Sequence, residues 1–357
     1  MDDNQPDNQP SIKIFVSTHK PSCTFASEIM RPIHVGAARS SWDAGAMLRD
    51  DAGDNISELN PSYCELTAQY WAWKNEQADW FGFCHYRRYF DFGETPHKVC
   101  PWGAEEVDEF INPETQVLYS VTDEAIRAAL ADCDVITSQM YDTHLIPDPF
   151  DNVVDQFDAN ADLRGEDLVN ALGIVSALYP DYAQDAVEFA QGHTMCLCNM
   201  FVMRAEMFDR YCAWLFPVLE MFCQVTDMSG YSKEGLRTPG HIAERLLNVF
   251  VNHEMRVDPG LRVKRKQVVL YHHPETPGPL EPEEAGAGAA APGAADQAGE
   301  PDASRPSPEA GAEPADDMPP AAIGEGNPLR RVVDPLLPAG SRRREAVKAL
   351  ARKVRCR

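Results

Sequence analysis

His85, Arg87 and Arg88 directly follow the apolar run Trp80-Phe-Gly-Phe-Cys84, and His19 and Lys20 directly follow Ile12-Lys-Ile-Phe-Val-Ser17. Each run has the length and the β-branched or aromatic content of a buried strand. Cations and imidazoles just past strand ends could converge on a diphosphate, because the planar guanidinium fork binds phosphate oxygens in pairs. In so acidic a chain, the same arginines could equally make surface ion pairs. The loop Asp50-Asp-Ala-Gly-Asp-Asn-Ile-Ser57 is a second polar cluster. Its Asp51, Asp54 and Asn55 could hold ribose hydroxyls or a divalent cation, or form a turn with Gly53 and Asn55 at positive φ.

Other candidates stand alone. Asp132-Cys-Asp134 has the form of the DxD carboxylates that hold Mn or Mg in many nucleotide-sugar enzymes. It precedes a strand, however, and Asp132 can equally end the helix before it. Glu244 shares a helix face with His241, three residues away, and could deprotonate an acceptor hydroxyl if that helix starts at a cleft; on a polar face it would be solvated. Cys196-x-Cys198 has strand spacing and could be half of a metal site. No CxxC or CxxH pair completes it, so the ten cysteines read as small core residues, not as a disulfide framework. His272-His273 adjoin the last apolar run. HExxH, GxSxG, Walker and GxGxxG motifs are absent from the sequence.

These residues need a scaffold, and the apolar pattern supplies one. Strands are expected at 12–17, 80–86, 133–137, 195–203 and 263–271, with helices at 62–75, 122–131, 165–178, 181–191, 205–224 and 240–253. Ser62-Tyr-Cys-Glu65 reads as a capping box opening the first helix. Strands alternating with helices predict an α/β fold, with a mainly parallel sheet covered on both faces and ligands at the carboxyl ends of its strands.

Composition sets the outer limits. The chain has 357 residues, 44% hydrophobic, enough for a real core. Its formal charge of −24 argues against nucleic acid as a partner but leaves room for a nucleotide sugar, which needs only a local cationic cluster. No apolar stretch is long enough to span a bilayer. The acidic segment Met1–Pro10 has no signal-peptide pattern, so a cytoplasmic location is expected. Residues 1–11 are expected to be disordered and 12–273 to form the α/β domain. Residues 274–327 hold twelve acids against one Arg among Pro, Ala and Gly, and read as a disordered linker. Residues 328–357 reverse the sign, with ten Lys or Arg against two acids. There Val347, Leu350 and Val354 make a thin apolar stripe on an otherwise basic helix, the pattern of a segment lying on an anionic membrane; folding back on the acidic body is the competing expectation.

Several blocks are specific in combination: Ile12-Lys-Ile-Phe-Val-Ser-Thr-His-Lys20, Pro32-Ile-His-Val-Gly-Ala37, Asp50 to Ser57, Asn60-Pro-Ser-Tyr-Cys-Glu-Leu-Thr-Ala68, Tyr70-Trp-Ala-Trp-Lys-Asn75, and above all Gly82-Phe-Cys-His-Tyr-Arg-Arg-Tyr-Phe90. Asn199-Met-Phe-Val-Met203, Tyr211-Cys-Ala-Trp-Leu-Phe216 and Ala243-Glu-Arg-Leu-Leu247 continue the pattern. Through these blocks, residues 12 to about 271 closely resemble the DUF4422 family, bacterial proteins found with capsule and exopolysaccharide genes and regarded as glycosyltransferases. The order of elements is also similar to that of GT-A transferases. That resemblance implies a nucleotide-sugar donor and a saccharide or lipid-linked acceptor. It implies that Glu244 is the catalytic carboxylate, with Tyr86, Asn199 and His241 toward sugar and acceptor. Where such enzymes end a strand in DxD, this sequence has His85-Tyr-Arg-Arg88, so basic residues are expected to do the work of a divalent cation (Mn or Mg). The expected activity is hexosyl transfer at the inner face of a membrane. The alternatives are a non-catalytic carbohydrate-binding or assembly factor on the same fold, and a metal-dependent hydrolase using Asp51, Asp54 and His85.

Overall fold

The computed structural model describes residues 9–100 and 104–278. In chain order, β1 (Ile12–Thr18), β2 (Met30–His34) and β3 (Leu48–Arg49) precede a broken helix, α1 (Asn60–Tyr63) and α2 (Leu66–Asn75). Strands β4 (Trp80–His85), β5 (Arg88–Phe90) and β6 (Ala104–Phe110) follow, then α3 (Pro113–Leu118), α4 (Asp123–Leu130), β7 (Val135–Ser138) and β8 (Tyr141–Asp142). Helices α5 (Val153–Asp158), α6 (Gly165–Leu178) and α7 (Ala183–Gln191) lead to β9 (Thr194–Met195) and β10 (Phe201–Arg204). The long helices α8 (Ala205–Val225) and α9 (Thr238–Val257) come before β11 (Val263–Lys266) and β12 (Val268–His273).

The main sheet runs β11-β7-β10-β4-β1-β2-β3. Neighbours are parallel except β10, which lies antiparallel between β7 and β4. Alternate side chains feed opposite faces, as the two-residue strand period requires. Phe15, Phe81, Phe83, Val135, Phe201 and Met203 join the core under α2, α6, α8 and α9. Ile12, Ile14, Val16, Trp80, Ile136 and Val202 join a second core with α4 and the rings of Tyr89 and Tyr271. Both faces are therefore covered, which is why the strands read as continuous apolar runs. Gly82 allows the central strands this closeness, since a Cβ there would stand 2.9 Å from Ile14 Cγ1 and from Val202 Cγ2.

Four local expectations change. No capping box forms at Ser62: the helix breaks at Cys64, at φ 51, and α2 starts without a side-chain cap. The strand expected over 195–203 is interrupted by left-handed residues Cys198 (φ 80) and Asn199 (φ 47), so Cys196 and Cys198 lack strand spacing. The run after Cys84 is not a strand end facing a loop but a tight hairpin, with His85 paired to Arg88 across Tyr86 and Arg87. Pro10 and Ser11, expected in a disordered terminus, are tied to the body. Arg127 donates to the Pro10 carbonyl at 2.9 Å, and the Ser11 amide donates to Asp79 at 2.7 Å. The basic segment 328–357 and the linker beyond residue 278 lie outside the described residues.

Candidate functional site

The strand registers place Ser17 beside His85, and Thr18 beside His34, so β1, β2 and β4 end in one row. A cavity of about 290 Å³ opens at this row. Ser17 and His19 line it after β1, Val35 and Gly36 after β2, and His85 to Arg88 at the β4–β5 hairpin. The first turns of α9 close one side. Arg237, Gly240, His241 and Glu244 recur at three- and four-residue spacing, and so share the face turned to the cavity.

Strain concentrates here. The non-glycine residues with positive φ among those described are Cys64, Ser120, Cys198 and Asn199, and Cys64 and Cys198 line the cavity. Each such residue costs about 1–2 kcal/mol. The Cys64 break, closed by a hydrogen bond from Asn60 Nδ2 to the Cys64 carbonyl at 2.8 Å, turns Glu65 away from a capping role and into the cavity. There Glu65 accepts from Asn199 Nδ2 at 2.7 Å. The turn carrying Asn199 is held in place by Asn248 of α9, which accepts from the Cys196 amide at 2.7 Å and donates to the Cys196 carbonyl at 3.0 Å.

Two carboxylates in this one cavity have opposite proton affinities. Burial pushes Glu65 above the usual carboxylate range, more than Asn199 can offset, and Glu244 adds to the rise. Burial also acts to raise Glu244, but Arg245, His241, a hydrogen bond from the Cys198 backbone and Arg88 outweigh it and hold Glu244 low. Carboxylates driven apart in this way are suited to different tasks. Burial, helped by Arg88, pushes the His85 imidazole down to about 3, so it is neutral near pH 7. Its Nε2 has no hydrogen-bond partner among the described residues and lies 4.0 Å from Glu65 Oε1. Burial likewise lowers His241 to about 4. The Cys198 thiol is pushed up to about 12 by burial, which removes it as a nucleophile.

Among the described residues, five cations line the cavity (Arg39, Arg87, Arg88, Lys233 and Arg237) against three carboxylates, Glu65, Glu234 and Glu244. Five against three leaves a local excess of positive charge in a chain of −24. Arg237 is anchored by Glu234 at 3.0 Å and by Cys64 Sγ at 3.3 Å. Tyr86 packs edge-on to His19 at 5.3 Å between ring centroids.

Of the residues singled out from sequence, His19, His85, Tyr86, Arg87, Arg88, His241 and Glu244 line this cavity, and Asn199 braces it through Glu65. Lys20 does not line it: Lys20 pairs with Glu275 at 2.9 Å and lies over the Tyr86 ring. Asp51, Asp54 and Asn55 are also elsewhere. Asp51 pairs with Arg49 at 2.7 Å, Asp54 accepts from Tyr70 at 3.4 Å, and Asn55 donates to the Asp51 and Gly53 carbonyls, which makes the loop a self-satisfied turn. The neighbouring Asp50 is the residue of that loop that serves the cavity. Fully buried, it accepts from the Gly36 and Ala37 amides at 2.8 and 3.0 Å and fixes the turn carrying Arg39.

The DxD reading of Asp132 and Asp134 is corrected by position and partners. Both stand at the amino end of β7, opposite the cavity edge. Asp134 is held by Arg204 and Arg262, each at 2.8 Å, and the Arg262 hydrogen bond leads the drop of its pKa far below the usual range. Asp132 is paired with Lys264. His272 and His273 are exposed and away from the cavity lining. Glu65, Arg39, Lys233 and Arg237 were not singled out from sequence. Glu65 was disguised by its capping-box spacing, and the three cations sit in segments without apolar periodicity.

Among the described residues, the cluster of three His, Cys, Asp or Glu side chains close enough to share one ion is Asp142, His144 and His193, none of which lines the cavity. No helix of the described residues is long and apolar enough to cross a membrane.

The fold is similar to that of the WbbM bifunctional glycosyltransferase in its apo structure, with a TM-score of 0.70 and 35% sequence identity. The match covers 76% of this chain and 47% of that one, so the chain spans about half the length of that relative. No curated protein matches. With a mainly parallel sheet flanked by helices and this neighbour, the fold is glycosyltransferase-like. Residues 13–255 match the family described as Domain of unknown function (DUF4422), and the chain belongs to that family.

Proposed function

We propose that this protein is a hexosyltransferase-type glycosyltransferase, moving a sugar from a nucleoside-diphosphate donor to a saccharide or lipid-linked acceptor in capsule, exopolysaccharide or other surface-glycan synthesis. One observation carries the reading: an excess of arginine and lysine shares a single cavity with two half-buried carboxylates whose proton affinities are shifted in opposite directions, at the carboxyl ends of parallel strands. In sugar transfer the bond from the anomeric carbon to the diphosphate breaks, the acceptor oxygen bonds to that carbon, and the acceptor proton leaves. The departing diphosphate gains charge, which Arg87 and Arg88 would neutralise where a metal ion does so in other enzymes. Glu244, held ionised, would accept the acceptor proton or stabilise the sugar. Glu65 and the unpartnered Nε2 of neutral His85 would hold sugar hydroxyls.

The basic segment 328–357, beyond the acidic linker 274–327, would hold this cytoplasmic enzyme at the anionic inner face of the membrane, where a lipid-linked acceptor is found. The test of donor class is thermal unfolding with a panel of nucleoside diphosphates. A ligand at about a hundred times its Kd adds about 2.7 kcal/mol. Stabilisation by at least one nucleotide, lost in Arg88→Ala, is expected; a panel without any effect would contradict the reading.

A further inference from the structure

We infer that Asp142, His144 and His193 form a binding site for a zinc-class divalent metal ion, separate from the cavity and independent of the transfer reading. The ligand atoms of the three side chains lie within 4.8 Å of one another. They come from two segments whose backbones are pinned together. Asp142 pairs with Thr194 in the β8–β9 ladder, and the Thr143 amide donates to the His193 carbonyl at 2.8 Å. One step further out, the Val153 amide donates to the Gly192 carbonyl at 2.9 Å.

Within this frame the donors converge. His193 Nδ1 is 2.8 Å from Asp142 Oδ1, and the two imidazoles stack with centroids 4.1 Å apart, their planes 11° from parallel. The His144 amide also donates to Asp142 Oδ1, at 2.9 Å, and His144 Nε2 is 3.2 Å from the Asp151 carbonyl. Metal–ligand bonds of about 2.0–2.2 Å in a tetrahedral site separate ligand atoms by roughly 3.3–3.6 Å. The ligand atoms, 2.8 Å apart for His193 and Asp142 and within 4.8 Å for the set, bracket that spacing, and side-chain rotations that unstack the two rings and turn their nitrogens toward one point complete it. His193 is 45% exposed and has room for them.

The donor types select the ion. Two imidazole nitrogens and one carboxylate suit Zn²⁺ and its borderline neighbours, whereas Mg²⁺ and Ca²⁺ require oxygen shells. Three protein ligands on an open surface leave the fourth position to water. A bound ion would cross-link the segment after β8 to β9. That strand runs directly into Leu197 and Cys198 of the cavity wall, and Ser138 Oγ also ties to the Leu197 carbonyl at 3.0 Å.

The full chain has ten histidines and ten cysteines, so the test is a difference. Wild type, His144→Ala, His193→Ala and the control His272→Ala would be titrated calorimetrically with ZnCl₂ and, separately, MgCl₂. Visible absorption of the Co²⁺ forms would report tetrahedral geometry. Expected is one Zn²⁺ equivalent present in wild type and His272→Ala and lost, or weakened at least tenfold, in the other two. Mg²⁺ should give no comparable heat, and the tetrahedral Co²⁺ band should disappear with the same two variants. Unchanged Zn²⁺ stoichiometry and affinity in His144→Ala and His193→Ala, or equal binding of Mg²⁺, would overturn the site.

Discussion

The Asn199 side-chain amide donates to the Glu65 carboxylate at 2.7 Å and to the Gly240 carbonyl at 3.2 Å, joining the turn before β10 to the broken helix and to α9. Asn199 pays a backbone cost for this position, at φ 47. Asn199→Ala should lose both hydrogen bonds, the one to the Glu65 carboxylate alone being worth about 1.5–3 kcal/mol, and add about 1 kcal/mol or more of left-handed strain. Asn199→Gly should lose the two hydrogen bonds without that strain and so be milder than Ala by about 1 kcal/mol. Chemical denaturation of both variants checks this; an alanine variant as stable as the glycine one would show that the turn is not strained.

His85 makes stability depend on pH in a defined direction. Its imidazole falls from the ordinary 6.5 in the unfolded chain to about 3 in the fold, chiefly through burial. Between those values the unfolded chain binds a proton that the folded one refuses, so stability rises with pH across this window and is lost on acidification. His241, lowered to about 4, acts the same way. His85→Gln should flatten the slope of unfolding free energy between pH 4 and 6 by up to about 1.4 kcal/mol per pH unit, the effect of one proton. Identical slopes for variant and wild type would mean that His85 is not desolvated.

Arg87 and Arg88 line the cavity, whereas Lys20 sits outside its lining, against Glu275. Arg87→Ala or Arg88→Ala should weaken nucleotide binding by about 1.5–3 kcal/mol, the value of a charge-assisted hydrogen bond. Lys20→Ala should change it by less than about 0.5 kcal/mol. Calorimetry in which Lys20→Ala is the damaging variant would move the diphosphate site.

The basic segment is tested by co-sedimentation with anionic and neutral vesicles. Full-length protein should partition onto anionic vesicles and be released by salt, since each basic residue near such a surface contributes about 1 kcal/mol. A chain ending at residue 327 should not. Equal partitioning of the two would exclude the segment as an anchor.

How much of this was legible in the sequence depends on the kind of signal. The buried strands 12–18 and 80–85 were plain because both faces of a covered sheet are apolar, and cations just past such runs were natural site candidates. The Cys64 break was invisible, because Ser62 and Glu65 have the spacing of a capping box and nothing local shows that Asn60 and Arg237 hold a left-handed turn there. The polar loop at Asp50 to Ser57 read as either a ligand loop or a turn. Its carboxylates accept from backbone amides (Asp50), Arg49 (Asp51) and the Tyr70 hydroxyl (Asp54), partners that the local sequence does not show. Asp132 and Asp134 had the right letters for a metal site, but Arg204, Arg262 and Lys264 arrive from distant strands to neutralise them.

The central claim, sugar transfer at the cavity of Glu65 and Glu244, is tested most directly by assaying purified wild type and Glu244→Gln for consumption of a panel of nucleotide sugars with saccharide and lipid-linked acceptors. The account predicts turnover of at least one donor by wild type. In Glu244→Gln the fold and donor affinity should be retained but turnover should fall at least about a hundredfold, the lower range for loss of a general base. Near-native turnover by Glu244→Gln would contradict the account.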